Sequence, residues 1–303
     1  MKLQRPTQTF LPFSILSIVY LLLLAFLPTN TATAESYHLS SPEYHILGLL
    51  LGIPRVIVWF AAFYGFWRLD QYTMAIRKTV DGRAFMHVSR GLRWLAWGLP
   101  LSGIVGNLTG GITHAHPGFD TAGVLITHFI TLIISLVSFS FISTGSRELL
   151  DSTGKQMPMS GLRVFALGFI FIGVAYCYAT VRGVIVQHGH PYHMPMWLIL
   201  LTVVIPYLYA WLMGFLAAYD FSLYRKHSSG LLYKSALNKL AGGLGLIIIT
   251  SVLLQYITST LTYLRRITLD WRLVGVYIIL LVYATGFILL ARGANQLKMI
   301  EEV

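Results

Sequence analysis

Three sets of polar residues in this chain have the type and spacing to do chemistry, and all three sit in or beside strongly apolar runs. The first is a single residue, Arg55, the one charge between Leu47 and Phe66. Counted at about 1.5 Å per residue from His45, it lies about 15 Å deep, near the middle of a hydrocarbon core about 30 Å thick. An arginine there costs about 2.5–3.5 kcal/mol on insertion scales and needs a partner or a wet cavity. No carboxylate reaches that depth, because the 11 acidic residues fall at helix ends, in loops or in tails. Two kinds of partner remain. One is a bound anion, which makes Arg55 the counter-charge of a solute site. The other is backbone carbonyls, among them that of Leu50, which Pro54 cannot bond because it has no N–H.

The second set is two hydroxyl-rich stripes. His128, Thr131, Ser135 and Ser138 recur at helical spacing, as do Ser251, Gln255 and Ser259, so each group shares one helix face. Such faces line a solute path or, equally, form the small-residue packing surface between membrane helices. The third set is imidazoles: His114-Ala-His116 with Asp120, and His188-Gly-His190-Pro-Tyr-His193. Neutral nitrogen ligands at these spacings suit Zn, Cu or Ni if the two segments converge. The same groups titrate near pH 6.5 and fit an acidity sensor. They also fit plain interfacial residues, with Tyr192 and Trp197 in an aromatic belt.

The elements that carry these groups follow from composition. With 56% apolar and 11% charged residues, the chain lies outside the range of soluble domains and reads as an all-α, polytopic transmembrane helix bundle of the cell membrane. Residues 1–34 fit two readings. Lys2 and Arg5, the apolar run Leu11 to Leu27 and Ala32-Thr33-Ala34 match a signal peptide. The same charges match an uncleaved N-terminal transmembrane helix that starts in the cytoplasm. Residues 35–303 form one membrane domain with spans at 44–67, 92–110, 122–144, 161–186, 195–219, 238–263 and 272–293.

Orientation follows from the basic residues. Of the 22, only Arg265, Arg266 and Arg272 fall outward and only Arg55 and Arg182 fall within spans, when the seven mature helices run N-out, C-in. The net charge of +11 is then a topology signal and an attraction to anionic inner-leaflet lipids, not a nucleic-acid signature. An internal echo divides the domain further. Pro54, Trp59, Phe63, Tyr72, Gly91, Leu92 and Leu101 recur 152 residues on as Pro206, Trp211, Phe215, Tyr224, Gly243, Leu244 and Leu253. That predicts a parallel 3+1+3 repeat, 44–144 and 195–296, joined by a linker helix at 161–186, an arrangement found among transporters.

Several activities fall away on residue grounds. No lysine lies in mid-membrane to hold retinal, His128 has no second buried imidazole for a haem, and Cys177 is alone. Gly242-Gly243-Leu244-Gly245 lacks a phosphate-binding lysine, and no acid, base and nucleophile assemble into an enzyme site. Two expectations remain: a secondary transporter or channel-like carrier of a small solute, anionic if Arg55 binds it, and a receptor or scaffold that senses metal or pH through its outward histidines.

Overall fold

The computed structural model describes residues 6–26, 41–115, 120–154, 205–227, 230–255 and 269–301. Among them the chain is all helical, with α1 (Pro6–Phe26), α2 (Ser41–Ala75), α3 (Val80–Ala115), α4 (Asp120–Asp151), α5 (Ile205–His227), α6 (Leu231–Gln255) and α7 (Leu269–Glu301). Three hold stretches long and apolar enough to cross a membrane: His45–Ala75, Ile133–Asp151 and Leu273–Ile300. The linker helix expected at 161–186 lies outside the described residues.

The helices run past the apolar segments that announce them. The run expected at 44–67 belongs to a helix of 35 residues, about 50 Å long, and that expected at 92–110 to one of 36. Apolarity marks only the stretch that suits hydrocarbon. The backbone ladder continues through polar, helix-compatible residues such as Arg68 and Gln71 on α2 and Arg147 and Glu148 on α4. Real stops have their own chemistry. Thr79 caps α3 by accepting the Gly82 N–H on its hydroxyl at 3.0 Å, and Asp81 adds a negative charge to that first turn. Past α4 the chain leaves the helix at Gly154 with φ +69°, a conformation glycine takes without strain.

Neighbours along the chain pack in order, α2 on α3, α3 on α4, α4 on α5, α5 on α6 and α6 on α7. α7 returns to α2, so six helices close a ring, and α1 lies against α2 and α3. Glycines let backbones touch. A Cβ on Gly91 would stand 2.5 Å from the Ser138 carbonyl oxygen, and one on Gly243 2.6 Å from that of Gly286. α1 joins through aromatic rings: Phe10 lies 4.9 Å from Phe63 and Phe13 5.4 Å from Trp97. Its other face leaves Leu11, Ile15, Ile18, Leu22 and Phe26 exposed, and α7 likewise exposes Val274, Ile278 and Leu281. Continuous apolar faces of this kind suit contact with lipid or another protein rather than water.

One end of the ring is polar. There the ends of α2, α4, α5 and α7 meet the starts of α3 and α6. Ser89 donates to Asp70 at 3.0 Å, and His87 pairs with Glu148 at 3.0 Å. The Tyr224 hydroxyl donates to Asp81 at 2.9 Å, and Lys239 to Gln296 at 2.8 Å. Burial first, then Tyr233 and Asp81, push the Tyr224 hydroxyl up, so it stays protonated and able to donate. Around this layer Arg77, Lys78, Arg83, Arg90, Lys226, Lys234 and Arg292 are exposed.

Candidate functional site

A cavity of about 120 Å³ lies within the ring, lined by side chains from α3, α4, α5, α6 and α7. At about 30 Å³ per water it holds about four waters, or a solute of a few heavy atoms. Its walls are mostly apolar, with Leu95, Leu99, Ile134, Phe139 and Trp211 among them, and its polar groups are hydroxyls: Ser102, Thr131, Ser135, Ser251 and Tyr283.

The hydroxyls are held by their own helices. Ser135 donates to the Thr131 carbonyl at 2.9 Å and Ser102 to that of Leu99 at 3.0 Å, which leaves their oxygen lone pairs as acceptors. Ser251 has one proton and two acceptors in reach, the Ile247 carbonyl at 2.7 Å and the Tyr283 hydroxyl at 3.1 Å. With that proton on Tyr283, the phenolic O–H is free to donate to a guest. The cavity therefore offers hydroxyl acceptors and an adjustable donor on Tyr283, and among the described residues no charged side chain lines it.

Three of the expected path residues, Thr131, Ser135 and Ser251, are brought together here. Ser138 is fully buried on α4, away from the lining, with no hydrogen-bond partner for its hydroxyl. The side chains of His128 and Gln255, and all of Ser259, lie outside the described residues. So do the metal candidates: the side chains of His114 and Asp120, and the whole of His116, His188, His190 and His193.

Arg55 does not line the cavity. Its guanidinium donates to the Tyr20 hydroxyl of α1 at 3.2 Å. The Leu50 carbonyl that Pro54 leaves free is taken by the Tyr277 hydroxyl of α7 at 2.6 Å. Both partners are phenols from distant helices. A phenol carries a polar tip on an apolar ring, so it can satisfy a group at membrane depth without a second charge.

Two features carry no clear signal in sequence. Tyr283 and Trp211 look like ordinary apolar-helix aromatics; the hint is that Tyr283 follows Thr131, and Ser251 follows Leu99, by the same 152 residues as the internal echo. The other is Asp220, 0% exposed near the polar end of α5 and beyond the expected span. Arg147 Nε of α4 stands 3.3 Å from its Oδ2, yet neither carboxylate oxygen has hydrogen-bond geometry to any group. Burial raises this carboxyl to about 6 from 3.8, against the lowering effect of Arg147 and with a further rise from Asp151.

Compared with known proteins, the chain matches no family model, no curated sequence and no solved structure.

Proposed function

We propose that the chain is a multi-pass membrane protein that carries a small, uncharged polar solute through its helix ring. The observation that carries this reading is the cavity, where hydroxyls from α3, α4, α6 and α7 converge between apolar walls. Small-solute sites are typically apolar clefts with a few placed polar groups. An uncharged guest is favoured because no cation among the described residues lines the cavity and Arg55 is engaged by Tyr20.

The basic, polar end is the cytoplasmic one in this reading, as the excess of Lys and Arg there requires. α2–α4 and α5–α7 are its parallel halves. The lining pairs Leu99/Ser251 and Thr131/Tyr283 support that division, since they join equivalent positions across the cavity. α1 stays with the ring, because Arg55 would lose its hydroxyl partner if α1 were removed.

The test is light-scattering recovery of proteoliposomes shocked with glycerol or urea. Wild type should speed recovery over empty liposomes, and Ser135→Phe, which fills the cavity, should return it to the empty-liposome rate while the melting transition persists. Equal rates for wild-type and empty liposomes with both probes would sink the reading.

A further inference from the structure

The contact between α4 and α5 extends from the cavity to the polar end. Phe139 of α4 and Trp211 of α5 line the cavity, and Arg147 and Asp220 stand about 12 Å further along the same two helices. Asp220 is unusual among the carboxylates of that end. Asp70 accepts from Ser89, Asp81 from Tyr224, and Glu148 pairs with His87. Among the described carboxylates Asp220 alone is 0% exposed, and its two oxygens lack a hydrogen bond. A buried carboxylate with an attraction to one cation and no donor is poorly solvated, so its charge is held by Arg147 and little else.

We propose, building on the carrier reading above, that Asp220 binds the proton that couples solute passage to the acidity of the polar side. Ionised, Asp220 holds α4 to α5 through Arg147 and closes the way from cavity to polar end. Protonated, it releases Arg147 and lets that contact open. The step is a proton transfer: hydronium at the polar side gives a proton to a carboxylate oxygen, one O–H bond forms, water leaves, and the pair goes from neutral to singly positive.

The groups around it leave room for that role. On α4, Arg147 opposes protonation and Asp151 favours it. On α6, Tyr233 is engaged with Tyr224, Lys239 with Gln296, and Lys234 is exposed. On α3, Asp81 accepts the Tyr224 hydrogen bond and His87 faces Glu148.

Infrared titration of the reconstituted protein reads the carboxyl directly, without any solute. A protonated-carboxyl C=O band should appear with a midpoint at about 6 and be missing in Asp220→Asn. Arg147→Gln should keep the band and move its midpoint upward, a check that stands even if the asparagine variant fails to fold. Glycerol flux should rise as pH falls through the midpoint in wild type and stay at the acid level at every pH in Asp220→Asn. An unchanged band in folded Asp220→Asn, or an unmoved midpoint in Arg147→Gln, overturns the proton site. Flux that ignores pH in wild type overturns the coupling. Titration with no flux at any pH overturns the carrier reading and the coupling with it, and leaves only the proton site.

Discussion

The two contacts that join α2–α4 to α5–α7, α7 against α2 and α4 against α5, use helices paired by the 152-residue echo and are built to opposite ends. Where α7 meets α2, a Cβ on Gly65 would stand 2.9 Å from the Phe287 carbonyl oxygen, Phe287 is fully buried, and the Tyr277 hydroxyl grips the Leu50 carbonyl. Where α4 meets α5, the positions 152 residues before Tyr283 and Phe287 hold Thr131 and Ser135, and both line the cavity. The place of Gly65 is taken by Ala217, and that of Arg68 by the buried Asp220. Two aromatic rings at one contact answer to two hydroxyl residues at the other, and the cavity lies beside the hydroxyls. Side-chain volume separates a closely packed contact from one that borders a cavity.

The difference can be broken most strongly through pH. Asp220 has a folded value of about 6 against 3.8, so its contribution is fully present below 3.8 and is lost as pH rises through about 6. Melting in detergent should therefore weaken by about 3 kcal/mol across that window, and Asp220→Asn should flatten the dependence without touching the α7–α2 contact. Next in size is Gly65→Ala. The obstructing atom is backbone and cannot swing away, so this change should cost about 2 kcal/mol, seen as a lowered melting midpoint at every pH. Smallest is Tyr277→Phe, which leaves the Leu50 carbonyl unpaired; about 1 kcal/mol should be lost, with faster amide exchange around Pro54 and little change in flux. A large fall in flux from Tyr277→Phe would mean that the α7–α2 contact also opens.

Much of the fold is legible in the sequence, because a long apolar run has few alternatives to a helix, and α1 to α7 fall where such runs lie. Their lengths are not, since polar helix formers extend them. The ring order is not legible either: apolar faces carry no address, and contacts as close as Gly91 on Ser138 are set by shape. Thr131, Ser135 and Ser251 stand out because hydroxyls at helical spacing interrupt apolar faces. Arg55 is recognisable as a residue in need of a partner, yet Tyr20 is hidden as that partner within a stretch that also reads as a signal peptide. Asp220 looks like any helix-end carboxylate, and its burial is a product of tertiary packing alone.

The hydroxyl of Tyr277 reaches a carbonyl 227 residues earlier in the chain. During synthesis the Pro54 turn of α2 is made long before the group that completes its hydrogen bonding exists. The early helices must therefore wait, with that carbonyl unpaired by any side chain, until α7 has been made. Chains truncated before α7 should therefore leave that carbonyl open, and amide exchange around Pro54 should be faster in them than in the full chain.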